Sequence, residues 1–190
     1  MNDSPSAIAI GASIGAIEAL SIVLPALPAA YARSVLVVVH VPTDTKNTLA
    51  ELFIARCRIA VKEAEDKEQI QAGTVYFAPA DYHLLVEPDF TLSLSSEEPV
   101  HYSRPAIDVL FESAADVYGP NLTGIVLTGA SSDGANGLRA ICRGGGAAIV
   151  QAPETAKNDA MPRAALVACP SARALSLEGI AAILKNEIVA

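Results

Sequence analysis

No run of basic residues occurs in the 190-residue chain, whose 13 Lys and Arg stand against 21 Asp and Glu for a net charge of −8. A phosphate-backbone partner needs clustered cations to release its counterions, so this absence argues against DNA or RNA as a ligand. No apolar stretch approaches the roughly 18–20 residues that cross a bilayer, and the opening Met1-Asn-Asp-Ser-Pro carries no basic n-region. A cytoplasmic protein without membrane insertion is expected. Cysteine is scarce: Cys57, Cys142 and Cys169 form no CxxC pair, so neither a disulfide framework nor a zinc site is expected, and the three read as buried free thiols. Charged residues make up only 18% of the chain against 52% hydrophobic ones, which excludes a disordered chain. The length suits a single domain spanning residues 1–190.

Short apolar runs alternate with helical periodicity, the pattern of βαβ units feeding a mainly parallel, doubly wound α/β sheet. Buried strands are expected at 7–11, 35–39, 122–127 and 147–151. Helices are expected at 15–24, 45–54, 105–118, 134–142, 161–167 and 177–186, the third with Ser103 or Arg104 near its N-cap and Pro105 in its first turn. Runs at 74–78, 83–87 and 90–95, separated by Pro and Asp turn signals, suggest a small antiparallel insertion.

Ligands of open parallel sheets bind at the carboxyl ends of the strands. After the first strand, Ser13 lies in the turn Gly11-Ala12-Ser13-Ile14-Gly15-Ala16, where small neighbours expose a hydroxyl beside the positive end of the next helix. His40 follows the second strand, 27 residues later, and Asp133 follows the 122–127 strand, 93 residues beyond His40. These are a nucleophile, a base and an acid that could orient the imidazole. Read singly, the serine is more often a helix cap, the histidine a structural one and Asp133-Gly134 a turn. The two glycine-containing turns also look like a dinucleotide cradle. However, no tyrosine is followed four residues later by lysine, and the second turn begins too near the end of the chain for a dinucleotide fold.

A specific family resemblance rests on seven segments: Gly11-Ala-Ser-Ile-Gly, Val39-His40-Val41-Pro42, Val61-Lys-Glu-Ala-Glu-Asp, Ala72-Gly-Thr-Val-Tyr-Phe-Ala-Pro, Ser103-Arg-Pro-Ala-Ile-Asp-Val-Leu-Phe, Leu127-Thr-Gly-Ala-Ser-Ser-Asp-Gly-Ala and Met161-Pro-Arg-Ala-Ala. In this order they resemble the catalytic domain of the chemotaxis protein-glutamate methylesterases, the CheB family. The resemblance implies a Rossmann-like three-layer α/β/α fold. It further implies hydrolysis of glutamyl methyl esters on the cytoplasmic helical domain of methyl-accepting chemoreceptors, with glutamine deamidation as a side activity. Carried over by motif, Ser13 is the nucleophile, His40 the general base and then acid, and Asp133 its orienting partner, with no cofactor and no metal.

Ser13 Oγ and His40 Nε2 are then expected near hydrogen-bond reach. Ile14, Gly15 and Ala130 fall in the oxyanion and substrate vicinity, and Arg104 reads either as a local positive patch facing the acidic receptor or as a solvated surface arginine. Two segments depart from the family pattern: Ile14-Gly15-Ala16 replaces Thr-Gly-Gly, and Gly129-Ala130-Ser131 replaces Gly-Met-Gly. These changes keep a second reading open, a non-hydrolytic signalling module that binds receptor or partner helices. His83 reads as a packing or hydrogen-bonding residue and His101 as a residue outside the triad. With the nucleophile at position 13, a stand-alone catalytic domain or an excised piece of a longer protein is expected, and control of this chain by phosphorylation would come from a separate response-regulator receiver.

Overall fold

The central strands of the computed structural model, which describes residues 5–40 and 49–186, are almost wholly apolar because both of their faces are covered. β1 (Ala7–Ala12), β2 (Ser34–Val39) and β7 (Leu122–Val126) are buried at every position. No alternating pattern is needed in strands of that kind. They belong to a seven-stranded sheet of order β3-β4-β2-β1-β7-β8-β9, with β3 at Ala60–Glu63, β4 at Thr74–Phe77, β8 at Ala147–Gln151 and β9 at Arg173–Leu175. Every pairing is parallel. The doubly wound α/β expectation agrees with this architecture.

Alternation reappears in which face each residue serves. Ala7, Ala9, Leu36, Val38 and Tyr76 pack with α3 (Ile107–Tyr118), α4 (Ala135–Arg143) and α5 (Ala160–Ala168) through Leu110, Phe111, Leu138 and Met161. Ile8, Ile10, Val35, Val37 and Phe77 pack with α1 (Ala16–Val23), α2 (Leu49–Ile54) and α6 (Leu177–Asn186) through Leu20, Phe53 and Leu184. Two helical layers therefore sandwich the sheet. Because β1 neighbours β2 on one side and β7 on the other, the chain reverses its winding there, and the ligand crevice of such sheets opens at that point.

Several expectations are corrected. The run at 74–78 is not part of the antiparallel insertion: β4 pairs parallel with β2 and β3, and the insertion is the hairpin β5 (His83–Val86) and β6 (Leu92–Ser95) alone. β3 and β9 carry Lys62, Glu63 and Arg173, as edge strands do, and so gave no apolar signal. Neither Ser103 nor Arg104 caps α3. Ala106 is its N-cap, preceded by a cis Arg104–Pro105 bond. The 45–48 part of the expected second helix lies outside the described residues.

Cys142 and Cys169 are joined in a disulfide, with only Cys57 free, which corrects the reading of three thiols. The bond ties the last turn of α4 to the segment after α5, across a separation of 27 residues. In the chain-entropy picture a loop of that size is worth about 3.5 kcal/mol. A Cys142→Ser variant, or the native protein under strong reductant, is expected to melt about 10 °C below the oxidised protein. A calorimetric scan with and without dithiothreitol checks it.

Candidate active site

Three adjacent strand ends converge on one crevice. The Ser13 N–H donates to the Thr128 carbonyl beyond β7 at 2.9 Å, and the His40 N–H donates to the Ala12 carbonyl of β1 at 3.1 Å. Ser13 thus sits between the ends of β2 and β7. Left-handed glycines start the helices that follow: Gly15 with φ 86° precedes α1, and Gly134 with φ 91° precedes α4. Both turns bring a helix N-terminus sharply back over the strand ends, where glycine avoids the Cβ strain of that conformation.

Asp133, with no solvent exposure, is held from three directions. Its Oδ1 accepts the N–H groups of Asp108 and Gly134, each at 2.9 Å, and its Oδ2 accepts the Ile107 N–H at 2.7 Å. His40 Nε2 lies 2.7 Å from the same Oδ2. Burial alone would push the Asp133 carboxyl up. The hydrogen bond from His40, those from the Asp108 and Ile107 backbone, and the charge of His40 outweigh it and hold the carboxyl below its ordinary value. An ionised carboxylate only accepts, so Nε2 carries a proton in this bond, and Nδ1 is the ring nitrogen left to exchange a proton with the serine.

This differs from the expected pairing of Nε2 with the serine. Ser13 Oγ forms no hydrogen bond with His40, a common feature of sites without substrate, where such contacts tighten only on binding. Near Ser13, the backbone N–H groups of Ile14, Gly15 and Ala130 are engaged by no other group among the described residues.

A second set of residues, not singled out from spacing, fixes these loops. Thr128 Oγ1 donates to the Ile14 carbonyl at 2.8 Å and accepts the Asn158 N–H at 3.0 Å. The buried Gln151 accepts the Thr128 N–H at 2.9 Å. Gly129 donates to the Asn158 carbonyl, and its own carbonyl accepts the Met161 N–H. Thr128 lay in view inside a quoted motif, whereas Gln151 and Asn158 offered no spacing signal. A Cβ at Gly129 would stand 2.6 Å from Met161 Cε and 3.0 Å from Ser13 Cβ. The methionine can swing away, but the serine cannot without leaving its place. Gly129→Ala is therefore expected to fold yet lose about 10- to 100-fold in turnover, read by steady-state kinetics beside a melting curve.

Arg104 does not present a free charge. Its Nη2 and Nε donate to Asp81 Oδ1 at 2.7 and 3.1 Å, and Nη1 donates to the carbonyls of Ser96 and Glu97. The positive patch expected there is thus matched by Asp81. His83 is buried, accepting the Ala106 N–H at Nδ1 and donating from Nε2 to the Glu98 carbonyl, which is the hydrogen-bonding role read for it. Val41 and Pro42 lie outside the described residues. His101, Asp108 and Asp133 place one ligand atom each within 4.8 Å of one another. Asp133 would have to surrender N–H or imidazole partners to ligate a metal there.

The chain matches the CheB methylesterase family over residues 8–184. A Leptospira interrogans protein is 47% identical over 175 residues, 92% of this chain and 91% of its own length. A Chromohalobacter salexigens protein named protein-glutamate methylesterase/protein-glutamine glutaminase is 39% identical over 95% of this chain, which spans 52% of that protein. An Archaeoglobus fulgidus protein of the same name is 36% identical over 84% of this chain, which spans 46% of it. Among solved structures, the Thermotoga maritima CheB methylesterase catalytic domain superposes with a TM-score of 0.91 at 29% identity, covering 97% of this chain and 100% of that one.

Proposed function

The chain belongs to the CheB methylesterase family, and from that premise we propose that it hydrolyses glutamyl γ-methyl esters on the helical cytoplasmic domain of chemoreceptors, with Ser13, His40 and Asp133 as its triad. The observation that carries this reading is the His40–Asp133 bond of 2.7 Å at the strand ends flanking Ser13. His40 Nδ1 takes the proton of Ser13 as Oγ attacks the γ-carbonyl, and the new oxyanion turns toward the unengaged N–H groups of Ile14, Gly15 and Ala130. His40 then returns the proton to the departing methoxide, which leaves as methanol. Water, deprotonated by the same imidazole, attacks the acyl-serine, releasing the glutamate carboxylate and regenerating Ser13. A glutamine side chain would follow the same path with ammonia leaving. The four-point hold on an ionised, buried Asp133 favours hydrolysis over a binding module, which has no use for an oriented imidazole.

The reading is tested by methanol release from a receptor helix peptide bearing a glutamate γ-methyl ester. Release that vanishes in Ser13→Ala supports it. Release unchanged by that substitution, or none from the native chain, overturns it.

A further inference from the structure

A second histidine–carboxylate pair lies beside the triad and is used by none of the steps above. His101 Nε2 lies 3.1 Å from Asp108 Oδ2. Asp108 is buried; its Oδ1 accepts the Gly137 N–H of α4 at 2.7 Å, and its Oδ2 faces Asn136 Nδ2 at 3.4 Å. Its side chain therefore fastens the first turn of α3 to the first turn of α4. The two helix starts joined in this way, through the N–H groups of Ile107, Asp108 and Gly134, supply three of the four hydrogen bonds that hold Asp133.

An independent observation concerns the turn that delivers His101. Val100 and Ser103 exchange backbone hydrogen bonds at 3.1 and 2.9 Å, and the two residues between them are both left-handed, His101 with φ 50° and Tyr102 with φ 61°. A tight turn with positive φ at both central positions ordinarily selects Asn-Gly. Non-glycine residues held in this region tend to mark functional positions. A turn that only reversed the chain would favour another residue at 101, so the histidine points to a role for its side chain.

We infer that His101 is a positioning residue: by donating to Asp108 it locks the α3 and α4 starts in the arrangement that aims Asp133 at His40. The inference rests on the triad proposed above. A bridging metal would use the same atoms, but Asp133 Oδ1 and Oδ2 each already meet two N–H donors, which favours the hydrogen-bonded arrangement.

Two substitutions separate this role from a merely conformational one. Asparagine suits the left-handed turn but ends short of Asp108; glutamine suits the turn less well but carries its amide nitrogen about as far as Nε2. His101→Asn, in which the better turn residue offsets part of the lost bond to Asp108, is expected to melt within a few degrees of native yet to cut the maximal rate of fluorophosphonate labelling of Ser13 about tenfold, with the half-saturating probe concentration unchanged. His101→Gln is expected to melt lower yet recover most of that rate. Native-rate labelling of His101→Asn overturns the inference, and so does a His101→Gln as slow as His101→Asn. If Ser13→Ala labels like the native chain, the triad itself falls and this inference with it; if only the His101 variants behave like native, the triad stands and His101 is just a turn residue.

Discussion

Ser13→Ala is expected to lower esterase turnover by about 10⁴- to 10⁶-fold while leaving the melting temperature within a degree or two of native. The two halves of the expectation have separate causes. Ser13 is half-buried, its backbone is fixed by the Thr128 carbonyl, and its hydroxyl takes part in no hydrogen bond among the described residues, so removing Oγ leaves no described partner unsatisfied and no sizeable cavity. The chemistry has no substitute for that oxygen. Ser131, the other half-buried hydroxyl nearby, is already engaged in accepting the Asp133 N–H. What remains after the substitution is polarisation by the backbone donors acting on water. A paired measurement of turnover and melting checks it; a melting point lowered by many degrees would mean that the loss reports folding.

Asp133→Asn is expected to damage both properties. A carboxylate there accepts two donors on each oxygen, three backbone N–H groups and the imidazole. An asparagine offers one carbonyl oxygen, and its NH₂ faces donors that it cannot satisfy. Leaving such groups buried costs about 2–4 kcal/mol, a drop of roughly 5–15 °C in melting temperature. If the amide NH₂ turns toward His40, the ring must offer a lone pair at Nε2 and carry its proton on Nδ1, where it can no longer take one from the serine. Loss of turnover by about 10³- to 10⁴-fold follows.

The same carboxyl gives a pH signature. Its value in the folded protein is depressed, so its stabilising contribution is complete above the unfolded-chain value of about 4 and fades as the pH falls through the lower folded value. The stability gap between native protein and Asp133→Asn is therefore expected to be constant from pH 5 upward and to narrow below about pH 4, as read by denaturant melts across that range. A gap that widens on acidification would contradict the assignment.

How much of this could be read from the chain alone follows from where each signal is stored. Ser13, His40 and Asp133 stood out as candidates because each follows a strand buried on both faces, and such strands leave short apolar runs bounded by turn residues. The edge strands β3 and β9 were not legible, since charged residues keep an edge unpaired and erase the run. The start of α3 was misread for a different reason. Its first N–H groups are capped by Asp133, a carboxylate 25 and 26 residues away, and local capping rules see only neighbours in sequence. Asp108 and His101 belong to the same class, as does the Cys142–Cys169 bond. Each depends on neighbouring helices docked side by side on one face of the sheet. The ring nitrogen that meets the aspartate is likewise a matter of side-chain geometry, which spacing does not encode.

The central claim is that Ser13 is the acylated nucleophile of this site. Treating the native chain with a fluorophosphonate, then locating the adduct by tandem mass spectrometry of its peptides, tests it most directly. The account predicts one phosphonyl group per chain, on Ser13, absent from Ser13→Ala and slow to form in Asp133→Asn. An adduct on Ser131 or Ser132, or none under conditions that saturate other serine hydrolases, would contradict it.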